Sequence, residues 1–210
     1  MLNIVGFSGS PRRPSKTRTL VEAATDAIST IVPAQSIIFD LVDLGPSIGT
    51  ACRLEDLDGK ALTLAERIQQ ADILVVGSPI YKASYAGMFK HFFDLLPPES
   101  LRDKLVCLTA TGGSHRHALA IEQHMRPLFA FFCAVSLPTV IFASDDDFDN
   151  GSLHSANVRD RLRAAASEAR RLASSVTLAS AGSRVILGET AASPKSLFVP
   201  KHPEREGIST

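Results

Sequence analysis

A chain of 210 residues with 45% hydrophobic and 21% charged side chains has the composition of an ordinary soluble globular protein, with enough apolar content for a sizeable core. Its 22 basic residues are balanced by 22 acidic ones, which excludes an overall field that would recruit nucleic acid or an acidic membrane surface, so any basic site must be local. The start MLNIVGFSGS has no charged residue ahead of its short apolar run, and no apolar stretch reaches the ~20 residues of a membrane span, which predicts a cytoplasmic protein.

The predicted elements alternate between strand and helix. A first strand, LNIVGFS (residues 2–8), leads into GSPRRPSKTRT, and helical spacing follows over about 16–31. A second strand, QSIIFDL (35–41), is separated by a polar loop from a helix in LDGKALTLAERIQQ (57–70). The third strand, DILVVGS (72–78), and the fourth, KLVCLTA (104–110), are nearly all apolar, as central parallel strands are. Between them a helix over 85–96 is stopped by Pro97 and Pro98, with Phe89, Phe92 and Phe93 spaced as core residues. A fourth helix over about 116–132 is apolar on more than one face and contains Pro127, which predicts a local break in its ladder and a partner on each side. A fifth strand, SLPTVIFA (136–143), precedes a last helix rich in Ala and Arg over 155–176.

Strand–helix alternation of this kind is the signature of βαβ units, here a doubly wound parallel sheet of five strands with helices on both faces. One domain over 1–179 accounts for these elements. The segment 180–210 holds Pro194, Pro200 and Pro203 and two short apolar patches, RVILG and SLFVP, and is expected to be an extended arm or disordered. The three cysteines form no CxxC pair; Cys107 and Cys133 sit in apolar runs and Cys52 in a polar loop, which predicts buried or idle thiols.

Ligands of an open doubly wound sheet bind at the carboxyl ends of the strands, where strand order reverses. Three loops follow the strands there. The first, Gly9 to Thr17, places Ser10, Arg12, Ser15 and Thr17 around a helix start, where unpaired N–H groups and the helix dipole favour an anion. It is neither G-x-G-x-x-G nor a Walker loop, and a terminal monophosphate suits it better than a bridging pyrophosphate. The competing reading makes Ser15 or Thr17 a plain helix cap and Arg12, Arg13, Lys16 and Arg18 solvated charge. The second loop, after strand three, offers Ser78, Pro79, Ile80 and Tyr81 as a wall. The third offers Thr111, Gly112, Gly113 and Ser114, whose glycines free backbone N–H groups to face an acceptor-rich ring edge.

The stretches GSPRRPSKT, SPIYKASYAGMFKHFFDLLP and ATGGSHRHALAIEQHMRPLF together resemble the NAD(P)H-dependent FMN reductases of the flavodoxin-like superfamily, in particular the branch serving sulfonate-utilising monooxygenases. The similarity covers roughly residues 2–150, and DDDFDN (145–150) shares in it. It implies a flavodoxin-like fold with FMN and NAD(P)H as ligands. By resemblance Ser10, Arg12, Ser15 and Thr17 hold the phosphate, Pro79, Ile80 and Tyr81 wall the isoalloxazine, and Thr111 to Ser114 meet its pyrimidine edge. It implies also a homodimer or homotetramer assembled through the fourth helix, and a flavin-dependent monooxygenase as recipient of reduced FMN. Hydride transfer to a stacked flavin needs no side-chain acid or base, so no catalytic residue is expected. Two other functions stay open at this stage: a quinone or azo reductase that keeps its FMN, and a flavodoxin-type electron carrier.

Other polar clusters point to less. DDDFDNG has its glycine at the seventh place and Ala156 at the twelfth, against a calcium loop. His115, His117 and His124 lack accompanying carboxylates or cysteines, and a surface or interface role for His117 and His124 is expected rather than a metal.

Overall fold

The structure is a computed structural model that describes the backbone of residues 1–186 and side chains as far as residue 173. Strand β1 (Leu2–Ser8) pairs in parallel with β2 (Ala34–Asp40) on one side and β3 (Ile73–Tyr81) on the other, and β5 (Leu105–Gly112) continues the sheet beside β3. The fifth position is shared by β6 (Val135–Ser136) and β7 (Ile141–Ser144), both parallel to β5, so the order is β2-β1-β3-β5 and then the split strand. Strand order reverses between β1 and β3, and their carboxyl ends carry the first two predicted loops.

The apolar runs of β3 and β5 follow from burial on both faces. One face is covered by α1 (Lys16–Ile31), through Leu20, Val21, Ala24 and Ile28, and by α5 (Ala156–Ile186), through Ala165, Ala166 and Ala169. The other is covered by α2 (Gly59–Gln70), α3 (Gly87–Asp94) and α4 (Arg126–Phe131), where Phe89, Phe92 and Phe93 close around Phe7 and Phe129 packs on Phe93. The three phenylalanines of α3 are fully buried, as their spacing predicts.

Four elements differ from the sequence reading. The fifth strand is broken around Pro138, which has no N–H to donate, and the polar groups of the gap are bonded by side chains. Glu168 accepts from Thr139 N at 2.9 Å and from its hydroxyl at 2.7 Å, while Arg161 and Arg126 donate to the carbonyls of Val140 and Leu137. The fourth helix is not continuous. A 3-10 turn (His115–His117) and a π-turn (Ile121–Met125) precede α4, the N–H of Arg126 reaching back five residues to Ile121 O just ahead of Pro127.

The loop after the third strand is strand instead. β3 runs on to Tyr81 and turns back into β4 (Ser84–Tyr85), so Tyr85 belongs to a hairpin and not to α3. Its two-residue turn, Lys82 and Ala83, has φ of 49° and 72°, a conformation normally marked by Gly or Asn, which these residues do not advertise. A second hairpin, β8 (Phe148–Asp149) with β9 (Ser152–Leu153), follows β7. Of the cysteines, Cys107 is buried, and burial with the charge of Glu168 pushes its thiol pKa up to about 12. Cys52 and Cys133 are exposed, the latter in a turn at φ 55°, which corrects the buried placement its apolar neighbours suggest. Helix α5 extends to Ile186, past the expected end at 176, and the expected arm beyond it lies outside the described residues.

Helix α1 packs against the sheet without space for a methyl group at two glycines. A Cβ at Gly6 would come within 2.9 Å of Thr25 Oγ1, and one at Gly77 within 2.4 Å of Val21 Cγ2 and 2.6 Å of Thr109 Oγ1. Gly77→Ala should therefore overpack this contact and cost about 1–3 kcal/mol, lowering the melting temperature by several degrees, whereas Gly59→Ala, in open space, should not. Equal melting temperatures for the two variants would contradict the packing.

Candidate functional site

The predicted residues converge on one crevice at the carboxyl ends of β1, β3 and β5, with a cavity of about 390 Å³. Ser10, Arg12, Ser15 and Thr17 line it from one side, Pro79, Ile80 and Tyr81 from a second, and Thr111, Gly112 and Gly113 from a third. Tyr81 stands at the rim, 43% exposed. Ser78 and Ser114 are placed otherwise. Ser78 is buried beneath the wall, donating to Pro79 O at 3.0 Å and accepting from Ala86 N at 2.9 Å, so it braces the start of α3 against β3. Ser114 accepts from Arg116 N at 3.2 Å and caps the following turn.

Three lining residues escaped the sequence reading: Pro14, Lys16 and Asp145. Lys16 Nζ and Asp145 Oδ1 form an ion pair of 2.8 Å across the crevice, with the ammonium 5.7 Å from the Phe148 ring. Lys16 was visible in the basic stretch, but its partner lies 129 residues on and no local pattern joins them.

Ser15 is the N-cap of α1, its hydroxyl accepting from Arg18 N at 3.2 Å, and a hydroxyl that accepts there retains its own proton for a ligand. The cap and the anion-binding reading are therefore both compatible with this geometry. Ser10 donates to Arg12 O at 3.1 Å and shapes the loop from within.

The four cations of the stretch are sorted by the acidic groups they meet. Arg13 forks onto Asp40 at 2.7 and 2.9 Å and reaches Asp43 at 2.6 Å, while Arg18 donates to Asp40 at 2.8 Å and to Glu22 at 2.8 Å. The Asp40 side chain is wholly buried and also accepts from the N–H groups of Val42 and Asp43. Hydrogen bonds that Arg13 donates to Asp40 and then Asp43 hold its guanidinium more firmly protonated than usual. Arg13 and Arg18 thus anchor the loop to the end of β2. Among the described residues, the Arg12 side chain has no hydrogen bond or ion pair, and it is the unneutralised cation of the crevice. Thr17 and Thr111 face each other at 2.6 Å between the first and third loops.

His124 bonds Ser84 Oγ at 3.0 Å through Nδ1, and His115 bonds Ser144 Oγ at 3.2 Å through Nε2. Among the described residues no three His, Cys, Asp or Glu side chains are grouped to hold a metal, and no helix is long and apolar enough to cross a membrane.

The model of the NADPH-dependent FMN reductase family matches residues 2–149. The chain is 39% identical over 168 residues to the NADH-dependent FMN reductase SfnF of Pseudomonas fluorescens, covering 80% of this chain and 90% of that protein. It is 38% identical over 166 residues to an FMN reductase (NADPH) of Pseudomonas aeruginosa, covering 79% and 89% respectively. An oxidoreductase of Corynebacterium diphtheriae superposes with a TM-score of 0.74 at 31% identity, covering 84% of this chain and 97% of that one.

The anchor of the loop should be visible in acid. Burial opposes the charge of Asp43, but its hydrogen bond from Arg13, that from Asp40 N and the nearby guanidinium charges outweigh it and lower its pKa below the ordinary 3.8. A carboxylate lowered in the folded state stabilises above the unfolded value, and that stabilisation is lost as pH falls through the folded value. Asp43→Asn should then cost about 1 kcal/mol at pH 7, with the difference from wild type shrinking below about pH 3.8. Thermal melts at pH 7 and pH 3 check it; a constant difference would rule the ion pairs out as its source.

Proposed function

Because this chain belongs to the family of NADPH-dependent FMN reductases, we propose that the crevice between the Gly9–Thr17 loop, the β3–β4 hairpin and Thr111–Gly113 is its flavin site. The chain is an NAD(P)H-dependent FMN reductase with a flavodoxin-like α/β fold. The observation that carries the site assignment is the unneutralised Arg12 beside three hydroxyls at the N-terminus of a 16-residue helix, in the same cavity as two glycines and an apolar wall.

These residues fit FMN by their chemistry. Ser15 and Thr17 supply short donors and Arg12 a charge-assisted one to a terminal phosphate, helped by the helix dipole, while Ser10 shapes the loop around it. Pro79, Ile80 and Tyr81 supply a flat apolar surface for a ring system. Gly112 lines the crevice, and a Cβ there would lie 3.2 Å from the Phe142 ring, a contact that the ring would have to yield to. When bound, FMN supplies a ring that takes a hydride from the nicotinamide of NAD(P)H. The chain's own part is to hold that ring with one face open, and to place backbone donors of the Gly112–Gly113 loop where negative charge develops on reduction. No side chain of the crevice is required as acid or base, which is why none is assigned.

We propose further that reduced FMN leaves for a separate flavin-dependent monooxygenase acting on a small sulfonate or other organosulfur compound; the relative SfnF supports this reading. If so, FMN behaves as a saturable substrate: NAD(P)H oxidation should rise with added FMN to a plateau, and bound flavin should wash out on dialysis. Oxidation independent of added FMN, with flavin retained and turnover driven by a quinone or azo dye, would replace delivery by direct reduction of those acceptors.

The chain is also proposed to act as a homodimer or homotetramer. Phe131 and Leu119 stand 65% and 64% exposed on and beside the helical segment that carries the π-turn, an apolar display for which a second copy is the occupant we infer. Light scattering at micromolar concentration should give a multimer, and a monomer would dismiss the assembly.

A further inference from the structure

Thr17 and Thr111 are almost wholly covered, 2% and 7% exposed, and their hydroxyl oxygens lie 2.6 Å apart although they come from two different loops of the crevice. Thr17 sits in the first turn of α1 in the anion cup, while Thr111 ends the buried run of β5 beside the two glycines. We propose that this pair is a hydrogen-bond relay that makes the cup and the ring edge one recognition unit, so that an anion in the cup sets the polarity offered to the ring.

A hydroxyl has one proton and can accept two hydrogen bonds. At 2.6 Å one proton must lie between the two oxygens, and either can donate it. If Thr17 donates to Thr111, Thr17 has only lone pairs to offer the cup, which an anion will not accept. If Thr111 donates to Thr17, the Thr17 proton is free for the anion, and Thr111 turns lone pairs toward the ring end. An anion therefore selects the second arrangement. The ring edge then meets an acceptor, which suits a ligand carrying an N–H donor, such as the imide of a flavin pyrimidine.

The rotamers that permit this are set by packing. Thr17 Cγ2 lies 3.3 Å from where a Cβ at Gly77 would stand, so its methyl group faces β3 and its hydroxyl faces Thr111. Among the described residues neither hydroxyl has another side-chain partner, so the relay has no competing bond to its ends. The inference rests on the flavin-site reading and adds to it a coupling between two residues 94 positions apart.

Flavin affinities by fluorescence titration test the relay, with FMN and riboflavin, which lacks the phosphate, titrated into Thr17→Val, Thr111→Val, the double variant and Arg12→Ala. Thr111→Val removes the bond that Thr111 donates to Thr17 in the anion-bound arrangement as well as the ring-end acceptor, so it should weaken FMN several-fold more than riboflavin, which loses the ring-end acceptor alone. The double variant should discriminate the two flavins no worse than Thr17→Val alone, and Thr111→Ser, which restores the hydroxyl, should recover the preference. Should Thr111→Val not fold, Thr111→Ala carries the same expectation. Equal losses of FMN and riboflavin in Thr111→Val, with Arg12→Ala still selective against FMN, would overturn the relay and leave the site standing. A preference for FMN unchanged in Arg12→Ala and Thr17→Val alike would overturn both.

Discussion

The close approach of α1 to β1 and β3 governs what the crevice can be. Two glycines, Gly6 and Gly77, face the helix where a methyl group has no place, so α1 lies deeper against the sheet than side chains elsewhere would allow. Its depth decides where its N-terminus emerges. The loop before it is tied to β3 by Gly9 N donating to Gly77 O at 2.7 Å, and a Cβ at Gly9 would sit 2.5 Å from Phe89. The same glycine that admits the helix therefore also receives the loop, and both place Ser15 and Thr17 against the carboxyl ends of the central strands. A packing constraint with no chemistry of its own thus brings hydroxyls, cap and dipole to one point.

Charge within the loop is then divided by the second strand. β2 ends in Asp40, wholly buried, and Asp43 follows in the next turn, and together they take up Arg13 and Arg18. Burying a carboxylate is costly unless donors surround it, and Asp40 accepts from two guanidinium groups and two backbone N–H groups. The consequence for the crevice is selective: two of four cations become structural, Lys16 is balanced by Asp145, and Arg12 keeps its charge for a ligand. An unsorted cluster of four cations would attract any polyanion, whereas one cation beside hydroxyls matches a single small phosphate.

The elements legible in the sequence were those whose reasons are local. β1 and α1 fall where the sequence puts them, because a run of apolar residues ending at Ser8 and a hydroxyl-rich helix start need no distant partner. β3 and β5 were legible as central strands because both faces are buried, and the Phe89, Phe92 and Phe93 spacing showed its helix directly. What escaped depends on contacts far apart in the chain. The Lys16–Asp145 pair, the sorting of Arg13 and Arg18 by Asp40, and the Thr17–Thr111 contact join residues that no window contains. The split of the fifth strand was signalled by Pro138 but made possible by Glu168 and Arg161 on α5, which supply the missing ladder bonds. Ten of the twelve residues named from sequence line the crevice; Ser78 and Ser114 sit one step back, as braces of the wall and the turn.

The wall of the crevice shows how a fold keeps a strained element in place. Lys82 and Ala83 both adopt positive φ, at a cost of order 1 kcal/mol each that glycine would avoid. The hairpin persists because its ends are held: Ser78 bonds Ala86 N, the strands pair at Ile80 with Tyr85, and Ser84 bonds His124 on the π-turn. Tyr85 in turn packs edge-on against His124 and, tilted, against Phe89 of the core. The surface formed by Pro79, Ile80 and Tyr81 is thereby tied to the buried aromatic cluster and to the widened turn ahead of Pro127. In the flavin site proposed above, a reaction that asks only for orientation of two stacked rings places its demands on such rigidity.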